Sequence, residues 1–201
     1  SIREYICNFI MSKLETNQVD PATGTTLTLG TSGDTISIPS GVTIANSGTA
    51  TGFGGANTPS FRAEVSSSQN VTDATATVIN FDTETFDNGS CYDGTNKFTV
   101  PSGEAGKYVV YSQCNLQPSD LNRASVLSIY IYKNGSRWTI AKTDFRNNTG
   151  SSSSVICQDT MDLSAGDYIQ IYAYIDTTSG TPSVIGQSNL KSTFSAFKLI
   201  E

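Results

Sequence analysis

Apolar and polar residues alternate along most of residues 60–201, which is the pattern of β-strands whose two faces differ in environment. The segment SVLSIYIY places Leu127, Ile129 and Ile131 on one face, and YIQIYAYI repeats the pattern. Turn signals such as KNGS and SAGD separate these segments. About eight to ten short strands at this spacing predict an all-β antiparallel sandwich, most simply a jelly roll.

A different pattern occupies residues 24–50, where apolar residues come only in spaced pairs between Gly, Ser, Thr, Asp and Pro. The six apolar positions are Leu27, Leu29, Ile36, Ile38, Val42 and Ile44. Strands this short bury too little in one chain to offset about 1–2 kcal/mol of backbone entropy per residue. Three identical chains can share one core, so the pattern predicts a thin trimeric β stem. The alternative is a disordered low-complexity linker.

The start of the sequence has helical spacing of apolar residues, at Ile2, Tyr5, Ile6, Phe9 and Ile10. We expect a short helix here that anchors the chain to another protein. The alternative is an extension without function that precedes Met11. The predicted organisation is therefore an anchor arm at 1–23, a stem and Gly-rich hinge at 24–59, and a β head at 60–201.

The charge and residue composition of the chain argue against several classes of function. The net charge is −6 and the chain has no histidine, so nucleic-acid binding and the usual catalytic triads are not expected. No apolar run is long enough to cross a membrane. Acidic residues fall in turns, and neither a phosphate-binding loop nor a metal-binding motif is present. We predict a protein that is not an enzyme, with no cofactor and no metal.

Four cysteines, at positions 7, 91, 114 and 157, allow three pairings. None has Cys-x-x-Cys spacing, and Cys114 and Cys157 fall within strand patterns. We therefore expect free and mostly buried thiols, typical of a protein assembled in a reducing cytoplasm.

The second face of several predicted strands carries tyrosine rather than lysine or glutamate. Tyr130 and Tyr132 occupy this face in one segment, and Tyr172 and Tyr174 in another. An aromatic, uncharged outer face favours burial against another subunit. The alternative is that tyrosine is frequent in strands for its own conformational reasons.

Residues 60–201 contain an ordered series of motifs that begins with Phe81, Asp87 and Tyr92, followed by Phe98, and continues through GKYVVY, IYKNGS, LSAGDYIQIYAY and STFSAF. In type and order, these motifs resemble the C1q/tumour-necrosis-factor (TNF) jelly-roll family. The spacing departs from the family pattern on both sides of Phe98, Val110 stands where an aromatic residue is usual, and no collagen-like repeat precedes the domain. The resemblance implies a compact homotrimer with tyrosines and phenylalanines near the threefold axis. The head residues expected there are Tyr111, Tyr172 and Phe197.

Residues 11–55 resemble the leader of phage structural proteins, notably those of marine cyanophages, over MSKLETNQVDPATGTTLTLGTSGDTISIPSGVTIANSGTATGFG. This resemblance implies a virion protein assembled in the host cytoplasm. We expect a trimeric fibre or spike whose arm docks on a capsid, portal or tail protein. Its head would bind a glycan or protein of the host surface through loops 117–124, 145–153 and 176–188. The alternative is a capsid or vertex decoration protein that stabilises the particle without binding a receptor.

Overall fold

The computed structural model describes residues 19–48, 57–120, 122–146 and 149–199. The chain divides into two compact units, Ser1–Ala50 and Thr51–Glu201. The described residues contain no helix. The described residues of the second unit form twelve strands: β1 Ser60–Glu64, β2 Gln69–Asn70, β3 Thr77–Val78, β4 Thr83–Asn88, β5 Lys97–Thr99, β6 Gly106–Gln117, β7 Ala124–Lys133, β8 Ser136–Asp144, β9 Ser153–Leu163, β10 Tyr168–Thr177, β11 Ser183–Val184 and β12 Thr193–Lys198.

The strands form two antiparallel sheets. In the first sheet, β6 is paired with β9 on one side and with β12 on the other, and β1 and β4 follow β12. Short strands β11 and β2 extend this sheet along the end of β6. The second sheet has the order β3, β10, β7, β8, with β5 also paired with β10. This is the two-layer sandwich that the alternating pattern predicts, so the all-β prediction is confirmed.

The inner faces of the two sheets form one hydrophobic core. Leu127, Ile129 and Ile131 are fully buried, as the alternation predicts. At one end of the core, the Phe61 ring stacks on Tyr92 and Phe98, with centroids 4.6 and 5.4 Å away, and meets the Phe194 ring edge-on at 4.8 Å. Aromatic residues from β1, β5, β12 and the connection before β5 therefore lock the two layers together.

The cysteines that the structure describes are free and buried: Cys91, Cys114 and Cys157. Burial raises the pKa of Cys114 to about 12, so this thiol stays protonated and packs as a small apolar group. The prediction of free buried thiols is confirmed for these three positions. Cys7 lies outside the described residues.

The residues that carry the family resemblance form one structural network. The Asp87 carboxylate accepts hydrogen bonds from the backbone N–H groups of Cys91 and Tyr92, at 3.0 and 3.1 Å. The Tyr92 hydroxyl donates to the carbonyl of Phe81 at 3.0 Å. The motif therefore closes the turn after β4 and holds Tyr92 against the core.

The predicted Asn-Gly hairpin joins β7 to β8. Asn134 and Gly135 have φ values of 51° and 76°, as a type I′ turn requires. The Asn134 amide donates to Asp167 at 2.7 Å, and Lys133 contacts the same carboxylate at 2.9 Å. These two contacts, the amide first, lower the pKa of Asp167 to about 2.

Residues 19–48 of the first unit contain neither a helix nor a strand. Thr31 and Asp34 close one turn, in which the Thr31 N–H donates to the Asp34 carboxylate at 2.7 Å. A second turn joins the Val42 N–H to the carbonyl of Pro39 at 3.2 Å. The predicted short strands are therefore not formed within these residues of a single chain, because a strand needs a partner strand for its hydrogen bonds.

We expect Asp87→Ala to lower the free energy of unfolding by about 2 kcal/mol, because two partly buried N–H groups lose their acceptor. Urea unfolding of the full chain at fixed protein concentration measures this change. Asp162→Ala is the control, since Asp162 is exposed on β9 and its side chain bonds no described residue. Equal stability of the two variants would contradict the structural role of Asp87.

Candidate functional site

The outer surface of the first sheet is almost free of charge at its centre. Strand pairing places Tyr111 beside Ser195 and Gln158, and Val109 beside Phe197 and Thr160. Exposed Ile156 continues this surface on β9, paired with Gln113. We call this surface the first outer face; its central residues are Val109, Tyr111, Gln113, Ile156, Gln158, Ser195 and Phe197.

Two cations beside the first outer face share one carboxylate. Glu64 contacts Lys191 at 2.7 Å and Arg62 at 3.5 Å. An open groove of about 510 Å³ runs from these residues along the face, and its lining includes Arg62, Tyr111 and Gln113. The central residues of the face carry no charge, so they can be covered without burying one.

The outer surface of the second sheet carries a cluster of four tyrosines, which we call the tyrosine face. Tyr172 pairs with Tyr130 across adjacent strands, and its ring stacks on Tyr132 with centroids 4.1 Å apart. Tyr174 completes the cluster, 6.2 Å from Tyr130. Burial raises the pKa values of Tyr130 and Tyr172, so these two phenols are neutral at pH 7.

Two cations border the tyrosine face at one end. Lys97, Gln170, Tyr132 and Arg137 are cross-strand neighbours in one row over β5, β10, β7 and β8. The Arg137 guanidinium lies over the Tyr130 ring at 5.4 Å, and the Lys97 ammonium lies 5.6 Å from the centre of the Tyr168 ring. Neither cation forms a salt bridge with a residue that the structure describes.

Ser128 lies beneath the tyrosine face with its hydroxyl fully buried. Its cross-strand neighbours are Tyr174 and Lys142. The hydroxyl has no hydrogen-bond partner among the described residues. A buried hydroxyl without a hydrogen-bond partner lowers the free energy of unfolding by about 1–3 kcal/mol.

The three loops predicted to bind a host surface meet at one end of the sandwich. The Ala124 N–H donates to the carbonyl of Gly150 at 2.9 Å, which joins the first loop to the second. The Ser119 hydroxyl donates to the carbonyl of Ser179 at 3.0 Å, which joins the first loop to the third. The sequence predicts a binding role for each loop but not their proximity, and these hydrogen bonds show that the three loops lie together.

The structure distributes the predicted interface residues over three places. Tyr111 and Phe197 share the first outer face, whereas Tyr172 lies on the opposite surface of the sandwich. The six stem residues are exposed in the described segment 19–48. The predicted anchor residues lie outside the described part of the chain. The interface roles of all these residues stay predictions.

Sequence reasoning did not identify several residues of the two faces. The sequence predicts Ile156 only as part of a strand, and its 51% exposure shows that its side chain points outward. Lys97 and Arg137 are 40 positions apart in sequence, and only the strand order places them in one row.

No group of three metal-ligating side chains occurs among the described residues. None of the described segments contains a helix long and apolar enough to span a membrane.

Comparison with known proteins gives structural likeness alone. No protein-family model matches the chain, and no curated protein matches its sequence. The globular domain of zebrafish complement 1qA protein is similar in structure, with a TM-score of 0.50 and 14% identity, over 70% of this chain and 97% of that one. Eiger TNF from S. frugiperda has a TM-score of 0.48 and 15% identity, over 70% and 90% of the two chains. Murine APRIL has a TM-score of 0.49 and 11% identity, over 70% and 99%. The likeness to the complement domain, together with the two-sheet topology, shows a C1q/TNF-like jelly-roll fold, as the sequence predicts.

We expect Ser128→Ala to leave the free energy of unfolding unchanged or to raise it by about 1 kcal/mol, because it removes a buried hydroxyl that has no partner. Ser112→Ala is the matched comparison, since this fully buried hydroxyl donates to the carbonyl of Thr193 at 2.9 Å. It should lower the free energy of unfolding by about 1–2 kcal/mol. Urea unfolding of both variants checks the difference, and an equal loss in the two would contradict it.

Proposed function

We propose that this chain is a homotrimeric phage virion protein, a fibre or spike with an anchor arm at 1–23, a stem at 24–59 and a jelly-roll head at 60–201. The head attaches the particle to the host cell surface. The observation that carries the proposal is the uncharged first outer face, which presents Tyr111, Phe197 and Ile156 on one surface.

The chemistry of the first outer face supports subunit contact. Outer sheet faces of monomeric proteins usually alternate charged and polar side chains with the buried ones. Here the outward residues at the centre of β6, β9 and β12 are aromatic, aliphatic or neutral polar. Interface cores are depleted of charge and enriched in aromatic residues, so this face suits burial against another copy.

The stem gives a second reason for a trimer. Its six apolar side chains are between 44% and 63% exposed in the single chain. Three parallel copies would turn these side chains toward a common axis and would supply partner strands for their backbone groups. A threefold stem and a threefold head have matching symmetry, so one chain can form both.

The loop end of the head supports attachment. Loops 117–124, 145–153 and 176–188 are rich in Ser, Thr, Asn and Gly, and hydrogen bonds hold their described parts together. Such residues suit polar recognition of a glycan or a surface protein. Three heads on one stem would bind with avidity, which compensates for a weak single site. The leader resemblance supports a phage virion as the setting.

We expect Tyr111→Glu to shift the full chain from trimer toward monomer, because three carboxylates would be buried in the subunit contacts. Sedimentation equilibrium over a range of concentrations measures this shift. Ile140→Glu is the control, since Ile140 is exposed on the outer surface of the second sheet, beside Tyr130. A trimer that tolerates Tyr111→Glu as well as Ile140→Glu would contradict the proposed contact face.

Attachment is tested by competition. Purified full-length protein added to susceptible cells before the phage should lower the rate of adsorption in proportion to the sites occupied. A protein with three alanine substitutions in the loops, Ser119→Ala, Thr178→Ala and Ser151→Ala, should compete less well. Unchanged adsorption at saturating protein would contradict attachment and would favour the decoration role.

A further inference from the structure

We propose that the tyrosine face is a second binding site, separate from the loop end, and that it binds an acidic polysaccharide. Tyr132, Tyr172 and Tyr174 would form hydrogen bonds with sugar hydroxyls. Arg137 and Lys97 would pair with the carboxylate or sulfate groups of the chain.

The tyrosines present hydroxyl groups on a rigid surface. The rings of Tyr132 and Tyr172 stack, with 26° between their planes, so each ring covers much of the other. The hydroxyls of Tyr132, Tyr172 and Tyr174 have no hydrogen-bond partner among the described residues. A tyrosine held in this way can bind a polar ligand at low cost in side-chain entropy.

The two cations define the charge of the ligand. Lys97 and Arg137 are separated by three strand spacings, which is roughly 14 Å between their Cα atoms. The chain carries a net charge of −6, yet this end of the face has two cations with no salt-bridge partner among the described residues. A linear polyanion that lies across the row can contact both cations, as well as the Gln170 amide and the Tyr132 phenol between them.

A second copy of the chain fits this face less well. The partner would have to desolvate Arg137 and Lys97 and place carboxylates opposite each of them. The first outer face has no such requirement. Charge therefore favours the polysaccharide on the tyrosine face and subunit contact on the first outer face.

The test measures binding of alginate oligosaccharides to the immobilised full-length chain by surface plasmon resonance, with dextran of equal size as the neutral sugar. We expect alginate to bind, dextran not to bind, and alginate affinity to fall as salt is raised. Arg137→Gln should weaken alginate binding about tenfold. The double variant Tyr132→Phe and Tyr172→Phe should weaken it several-fold, because it removes only the hydroxyls.

Matched variants locate the site. Lys97→Gln should weaken alginate binding, whereas Lys107→Gln, at an exposed lysine on the first sheet, should not.

The proposal would be overturned by absence of alginate binding, by equal binding of dextran, or by equal losses in the two lysine variants. A second result would also overturn the proposal: Arg123→Gln, at the loop end, abolishes alginate binding, and Arg137→Gln leaves it unchanged. That result would still be compatible with host attachment through the loops. The native mass of each variant, measured in parallel, reports separately on the trimer; a mass change in Arg137→Gln alone would assign the tyrosine face to subunit contact and overturn the proposal.

Discussion

The fold depends on the contact of the Phe61 ring with Tyr92, Phe98 and Phe194. These four aromatic residues come from distant parts of the sequence and bring together β1 and β12 of the first sheet, β5 of the second sheet and the turn after β4. Asp87 holds the turn that delivers Tyr92, and the Tyr92 hydroxyl returns to the backbone of Phe81. Once this cluster forms, β1 and β12 lie at fixed places in the first sheet and β5 lies at the edge of β10. The register of both sheets then determines which side chains point outward.

The inner faces of a two-layer sandwich are buried in one core. Other molecules can therefore bind only to the outer faces, the edges and the loops. The two outer faces of this chain differ in chemistry. The central residues of the first outer face are uncharged, and Arg62 and Lys191 beside it both contact the Glu64 carboxylate. Among the described residues, three hydroxyls of the tyrosine face have no hydrogen-bond partner and its two cations have no salt-bridge partner. This difference is the physical reason for assigning subunit contact to the first face and a polar, anionic ligand to the second.

The sequence predicted the sandwich well because period-two alternation reports directly on burial, as Leu127, Ile129 and Ile131 show. It also predicted the Asn134–Gly135 turn, which depends on two adjacent residues. It did not predict β4, where the exposed TETFDN segment lacks an alternating pattern. The family resemblance grouped Tyr111 and Tyr172 near one threefold axis, because the sequence does not tell which sheet each strand joins. The sequence also does not predict that Lys97 and Arg137 lie in one row, because tertiary contacts determine the order of the strands.

The central claim is that three copies of this chain share one stem and contact one another through the first outer face. Native mass spectrometry of a refolded mixture of isotopically light and heavy chains tests it most directly. A homotrimer gives four mass species, two pure and two mixed, each with a mass near three chains of 21.4 kDa. Two species, each with the mass of a single chain, would contradict the claim, because the stem residues and the first outer face would then have no copy of the chain to cover them.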